Sequence, residues 1–297
     1  MKSLELLIKE KFNKIYSPSF CLKSRTSYKI GGDAKHFFEP VNRDQLVELI
    51  YFLQSLSLEY FVIGNGTNLL ISDRGVDKII ISTKKLNCIE KKGNFIYVDG
   101  GVSIPKIASF AKRNNLSGFE GISGIPGSVG GGIFMNCGAL GSSISDHLYS
   151  LDFLDSKGSL VSLKRNDVNF SYRETSLGEG TIISAVFDFD EGSEEEISKL
   201  MDQNRDWRLK NQPLNAPSCG SVFKKCKGES AGAYIDKAGL KGYRKGGAII
   251  SNIHANFFLN IDNCSFDDID YLISLAKEKV YDRFGVELEE EVIRIGK

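Results

Sequence analysis

Leu46, Leu49, Ile50 and Leu53 recur at helical spacing behind Asn42-Arg43-Asp44-Gln45. A capping box followed by one apolar face predicts a helix over residues 43–56. Tyr60-Phe61-Val62-Ile63 is an apolar run of strand length, and Lys78–Ser82 and Phe95–Val98 have the same character. Ser103 should cap a helix over 104–114, with Pro105 in the first turn, where a missing N–H does no harm. Leu151–Asp155 and Leu160–Lys164 flank Ser156-Lys157-Gly158-Ser159, which is a hairpin signal. Thr181–Phe189 is a further strand, rich in β-branched and aromatic residues. Near Glu191 the pattern turns polar. Glu194-Glu195-Glu196 opens a helix running to about Asn211, with acids where the helix dipole favours them, and a domain boundary is placed there. Beyond it, Gly247–Ser251 and Ala255–Asn260 read as strands. Ser265-Phe266-Asp267-Asp268 caps a helix carrying Ile269, Leu272, Ile273, Ala276 and Val280, which Gly285 ends. Val286–Ile295 is expected to be the last strand, so the second half is an α+β module.

Two glycine-rich segments interrupt this pattern. The denser is GISGIPGSVGGGIFMNCGALG, residues 121–141. Glycine costs folding entropy, so such density needs a backbone turning at positive φ or lying flat against a ligand. Ile122, Ile125, Val129, Ile133, Phe134 and Met135 are too apolar for a solvated linker. The expectation is a buried loop hugging a ligand. It is not a dinucleotide fingerprint of the Rossmann kind, because no strand pattern leads into it. The second segment, Gly64-Asn65-Gly66-Thr67-Asn68, follows a strand and precedes Leu69-Leu70-Ile71. That order can offer bare backbone N–H groups to an anion. It can equally be a hairpin turn, which Asn-Gly often marks. The P-loop lysine is missing, which disfavours nucleoside triphosphate hydrolysis.

Composition narrows the classes. The 297 residues are 41% hydrophobic and 26% charged, with 38 basic and 38 acidic side chains. A balanced charge without a basic block gives no hold on nucleic acid. The acidic residues of MKSLELLIKEKF make a poor signal peptide, and no apolar run is long enough to span a membrane. None of Cys21, Cys88, Cys137, Cys219, Cys226 and Cys264 forms C-x-x-C, so free thiols are expected and no metal site.

Seven pieces spread over nearly the whole chain carry a resemblance. They are Thr26-Ser27-Tyr28-Lys29-Ile30-Gly31-Gly32, Gly64–Leu70, the long glycine stretch, Phe170-Ser171-Tyr172-Arg173, Pro217–Lys224, Ala238-Gly239-Leu240-Lys241-Gly242 and Leu288-Glu289-Glu290-Glu291-Val292. In these pieces and their order the chain resembles the UDP-N-acetylenolpyruvoylglucosamine reductase family, in the shorter subtype that lacks a substrate-covering loop. The resemblance implies an α+β fold. An FAD-binding module of the p-cresol-methylhydroxylase type would occupy residues 1–71, joined by 286–297, and 72–190. A C-terminal α+β substrate domain would occupy 191–285. It implies a cytoplasmic, monomeric enzyme that uses NADPH and non-covalent FAD to reduce a UDP-sugar enolpyruvyl ether to UDP-N-acetylmuramate for peptidoglycan. The competing expectation is an FAD oxidase or dehydrogenase of the same fold acting on another alcohol or sugar.

The resemblance also implies roles. Ser221 matches the proton donor; read without the family, it is a serine closing a turn after Pro217. Arg173 matches an arginine that grips the substrate carboxylate and holds enolate charge, as a bidentate guanidinium can; its plainer reading is an ion pair with Glu174 or Glu179. Glu291 matches an acid beside the reacting carbon, or is one acid of a solvated run. The FAD contacts would come from Gly64, Asn65, Gly66, Thr67 and Asn68, and from Ile125, Pro126, Gly127, Ser128, Gly131 and Gly132, with Ser128 and Asn136 as side-chain donors. Tyr172, Lys210 and Lys225 would meet the substrate. His36, His147 and His254 lie outside the glycine stretches, in keeping with non-covalent flavin. Three positions depart from the family pattern: Asn211 and Ala233 stand where lysines are usual, and Ile293 stands where an arginine is usual, with Arg294 next.

Overall fold

Capping chemistry and apolar spacing place most helices where the pattern puts them. The computed structural model describes residues 4–226 and 228–296. Its first helix, α1 (Leu4–Phe12), buries Ile8 and Phe12. Helix α2 (Arg43–Ser55) begins where Asn42 Oδ1 accepts the Gln45 amide at 2.9 Å, and it buries Leu46, Leu49, Ile50 and Leu53. The return bond of the expected capping box is displaced by one residue, since Val41 N–H rather than Asn42 N–H donates to Gln45 Oε1. Helix α3 (Ile104–Arg113) has Pro105 in its first turn, but the Ser103 side chain makes no cap bond.

The chain divides into two units. The first comprises Met1–Ser19, Lys35–Asn65 and Lys78–Asp206. In it Phe37 and Phe38 pair in parallel with Ile80 and Ile81, and Tyr60–Ile63 pairs in parallel with Ile79–Ser82. An antiparallel five-stranded sheet follows, in the order 160–164, 148–155, 180–188, 95–99, 89–92. One apolar cluster gathers Phe38, Leu46, Ile50 and Ile81; another gathers Val98, Ile107, Phe119, Ile133 and Phe187.

The long glycine stretch corrects the expectation of a loop throughout. Val129–Phe134 forms a short helix, α4, and Ser128 Oγ caps it by accepting the Gly131 amide at 3.3 Å. Glycine disfavours a helix by about 1 kcal/mol per residue, so sequence alone argues against one. Close packing outweighs that cost. A Cβ on Gly132 would meet Ile104 Cδ1 at 2.9 Å and Cys137 Sγ at 3.0 Å, and Gly130 N–H donates to Gly100 O at 2.7 Å.

Helix α5 (Glu194–Asn211) spans the polar segment as predicted and buries Ile197. The second unit comprises Phe20–Ala34, Gly66–Asp77 and Trp207–Lys297. It contains α6 (Ala231–Lys237), which the pattern did not predict and whose N-cap Ser230 makes no side-chain bond. It also contains α7 (Phe266–Phe284), with a complete Ser265–Asp268 capping box and Gly285 at φ 61° as its C-cap. Tyr28, Phe223, Phe258, Ile273 and Val280 lie in its core, beside a three-stranded antiparallel sheet ordered 244–245, 248–250, 258–260. The strand expected over Val286–Ile295 is regular only at Ile293–Ile295, which runs parallel to Leu69–Ile71. Ahead of it, the Phe223–Glu290 pairing is an isolated bridge.

Candidate active site

In the second unit, Gly220 at φ 80° turns the chain so that Ser221 pairs with Phe257. A left-handed residue is needed there, and glycine supplies it without a Cβ penalty. Val222 and Phe223 then drop into the core. The Val222 amide donates to Asn256 O at 2.9 Å. The buried Asn256 side chain clamps the next residue from both sides, accepting from Phe223 N–H at 3.0 Å and donating to Phe223 O at 2.8 Å. Against this segment lies Glu291, whose amide donates to Val222 O at 2.8 Å and whose carbonyl accepts from Asn68 Nδ2 at 2.9 Å. The fold therefore brings Ser221 and Glu291, seventy positions apart, to either side of Val222.

The surrounding ionisable groups are specialised. Burial pushes the Cys219 thiol up to about 12, and the charge of Glu291 adds to the effect. Cys219 thus stays a thiol at neutral pH and is no nucleophile. Burial likewise raises Tyr28 well above the ordinary tyrosine range. Burial opposes ionisation of Glu290, but hydrogen bonds from Arg294 and Lys277 prevail and lower its pKa. Arg294 donates from Nε to Glu290 Oε2 at 2.7 Å and also pairs with Asp270. The arginine displaced from the family position is therefore a clasp between the C-terminal segment and α7. Lys224 pairs with Glu289 at 2.5 Å, while Lys225 and Lys210 are exposed.

In the first unit, Arg173 sits on a tight turn. Phe170 pairs with Thr175 and Ser171 with Glu174, which leaves Tyr172 and Arg173 as the two turn residues. Arg173 has φ 60°, a left-handed conformation that glycine or asparagine usually fills. Its guanidinium reaches back to the glycine stretch, donating from Nη2 to Gly138 O at 3.1 Å and from Nη1 to Asn136 O at 3.5 Å. The Tyr172 ring, 47% exposed, lies 5.1 Å from it. Asn136, also left-handed at φ 39°, returns the contact by donating from Nδ2 to Ser171 O at 2.8 Å. Its Oδ1 is buried and accepts no hydrogen bond.

Taken unit by unit, each glycine segment offers donors that suit an anionic ligand such as FAD, though through fewer amides than expected. Ile125, Val129, Gly130 and Gly132 spend their N–H groups on backbone carbonyls, and Gly131 spends its own on Ser128. Gly127 and Ser128 keep N–H groups that donate to no described residue, as do Gly66, Thr67 and Asn68. Unclaimed backbone donors of this kind suit phosphate oxygens. Gly66 is obligatory, because a Cβ there would lie 1.9 Å from Arg25 O; one on Gly64 would lie 2.0 Å from Ser128 Oγ and displace that hydroxyl. An open groove of about 510 Å³ beside Arg43, Lys85, Glu90 and Asp99 includes none of these residues. Asn256 had no local sequence signal, because its partner lies 33 residues away.

Among the described residues no cluster of His, Cys, Asp or Glu could hold a metal ion, and no helix is long and apolar enough to cross a membrane. None of the six cysteines is in a disulfide. Comparison with known proteins matches residues 34–164 to an FAD binding domain, and residues 212–295 to the C-terminal domain of UDP-N-acetylenolpyruvoylglucosamine reductase. The UDP-N-acetylenolpyruvoylglucosamine reductase of Caldanaerobacter subterraneus subsp. tengcongensis is 39% identical over 277 residues, covering 93% of this chain and 92% of that protein. The protein of the same name from Streptococcus pneumoniae is 38% identical, over 93% of this chain and 92% of its own length. The crystal structure of the Thermus caldophilus reductase superposes with a TM-score of 0.81 at 31% identity, covering 93% of this chain and 98% of that one.

Proposed function

Because this chain belongs to the UDP-N-acetylenolpyruvoylglucosamine reductase family and is an FAD-dependent oxidoreductase of peptidoglycan precursor synthesis, we propose that it uses NADPH to reduce UDP-N-acetylenolpyruvoylglucosamine to UDP-N-acetylmuramate. FAD, when bound, supplies the hydride relay between NADPH and the enolpyruvyl double bond. The backbone amides at 66–68 and 127–128 would hold it non-covalently.

Hydride arriving at the terminal carbon leaves negative charge on the neighbouring carbon and its carboxylate. The Arg173 guanidinium holds that carboxylate and stabilises the enolate. Ser221 donates its hydroxyl proton to the neighbouring carbon, which completes addition of H⁻ and H⁺ across the double bond. A hydroxyl is a weak acid, so its position must be tightly held, and the Asn256 and Val222 bonds supply this. Glu291 borders the same point. Tyr172, Lys210 and Lys225 contact the UDP-sugar. Residues 1–71 with 286–297, and 72–190, serve the cofactor; 191–285 serves the substrate. A monomer working in the cytoplasm belongs to the same proposal.

The observation that carries this reading is the placement of Ser221 next to Glu291, held by the 2.8 Å bond from Glu291 N–H to Val222 O. The test is optical. The purified protein should be yellow, bleach anaerobically with NADPH and regain colour on adding UDP-N-acetylenolpyruvoylglucosamine. Acid should release the colour into the supernatant. A colourless protein, or one bleached by an alcohol or sugar without NADPH, overturns the proposal.

A further inference from the structure

Arg173 and Asn136 form a reciprocal pair across 37 residues, and both are in left-handed backbone conformations, at φ 60° and 39°. Each side chain bonds to the backbone of the other's segment. The guanidinium donates to Asn136 O and Gly138 O, and the Asn136 amide donates to Ser171 O at the start of the turn that carries Arg173. At its base the hairpin is held by Phe170, which packs on the apolar cluster, by Thr175 Oγ1 donating to Phe134 O, and by the Ser176 N–H bond to Asn169 O. Its strands are two residues each, and Ser171, Tyr172 and Glu174 are all exposed. At its tip, a non-glycine at positive φ is strained and would sample other conformations without a brace. The Asn136 amide is the cross-brace that selects one.

We propose that Asn136 is a positioning residue for Arg173. Through Ser171 O it fixes the turn, and through the turn it fixes where the guanidinium meets the substrate carboxylate. This rests on the reading of Arg173 as the carboxylate grip. It assigns Asn136 a task that the flavin-donor expectation did not include, since one N–H of its side-chain amide goes to Ser171 O. Asparagine suits the position twice over. It tolerates the left-handed conformation, and its short amide reaches a neighbouring carbonyl.

The test uses the flavin-loaded enzyme. Asn136→Gly keeps the backbone freedom and removes the brace; Asn136→Asp keeps the shape and replaces the donor with a carboxylate. Both should retain yellow colour and normal bleaching by NADPH. Reoxidation by the enolpyruvyl substrate should slow about 10- to 100-fold, the scale of an ångström-level misplacement of a catalytic group. Amide hydrogen exchange over residues 170–175 should quicken, with the rest of the chain unchanged. In an Arg173→Ala background, Asn136→Gly should add nothing further, because it acts through Arg173. Additive losses in the double variant, or loss of flavin from both Asn136 variants, overturn the proposal in favour of an independent or cofactor-holding role. Unchanged reoxidation in the Asn136 variants, with Arg173→Ala slow, overturns it while leaving Arg173 in the site. Unchanged reoxidation in Arg173→Ala itself refutes the underlying reading of Arg173.

Discussion

The segment carrying Ser221 is fastened from below, whereas the turn carrying Arg173 is fastened from the side. Val222 and Phe223 are fully buried, and Asn256 satisfies both backbone groups of Phe223 with its whole amide. Ser221 inherits its position from a core, with strain confined to Gly220, where glycine removes it. Arg173 has no buried neighbour in its turn to inherit from. Its place depends on side-chain bonds to the glycine stretch, made across a surface, and its backbone keeps a left-handed conformation unfavourable for arginine. The two asparagines mark the contrast. Asn256 is buried with both amide atoms engaged, while Asn136 has one engaged and one orphaned. A proton donor that acts once, at one carbon, benefits from a rigid mount. A guanidinium that must grip and release a carboxylate is better placed at the exposed tip of a short hairpin, steadied there by side-chain bonds.

The contrast can be broken at its core-held end first. Ser221→Ala removes only the hydroxyl from a rigid mount. It should fold, bind flavin and bleach with NADPH at the normal rate, while reoxidation slows about 100- to 10,000-fold, the usual worth of a general acid. Stopped-flow traces in which both steps slow together, or neither does, would make Ser221 a turn residue. Cysteine at the same position should recover part of the rate, since a thiol also carries a proton.

The next variant sharpens the comparison by removing the mount and sparing the hydroxyl. Phe223 is 1% exposed and packs edge-on to Phe258 at 6.0 Å. Phe223→Ala should cost about 3–5 kcal/mol of stability, read from denaturant midpoints. A loss below about 1 kcal/mol, within the range of surface substitutions or little above it, would show that the core does not hold Ser221.

The smallest effect belongs to the exposed turn and has the opposite sign. Arg173→Gly relieves a left-handed residue and should stabilise the protein by about 1 kcal/mol, less whatever the lost guanidinium bonds contributed. The same variant should lose most of its turnover. Destabilisation by more than about 1 kcal/mol, the net worth of an ordinary hydrogen bond, would place Arg173 among the structural residues and erase the difference between the two segments.

Much of this molecule was determined locally. α2 and α7 follow from capping residues and apolar spacing, and α5 from a polar run with acids in its first turn, because a helix is stabilised by partners and a dipole within one window. The motifs around Ser221, Arg173 and Glu291 could also be read, as an ordered set of short segments. Tertiary structure decided the rest. It turned Gly130–Gly132 into part of a helix, because close approach to Gly100, Ile104 and Cys137 outweighs glycine's poor propensity. It left Glu289–Glu291 outside regular strand, since only Glu289 O and Glu291 N–H bond to the 222–224 segment, which makes one isolated bridge at Glu290. It assigned Asn136 to Ser171 and Asn256 to Phe223, and it sent Arg294 to Asp270 and Glu290. Most of these bonds join residues 24 to 35 positions apart, beyond the reach of any local pattern. Only the folded chain brings such donors and acceptors into range, and there a buried or constrained polar group must find its partner or remain unpaired.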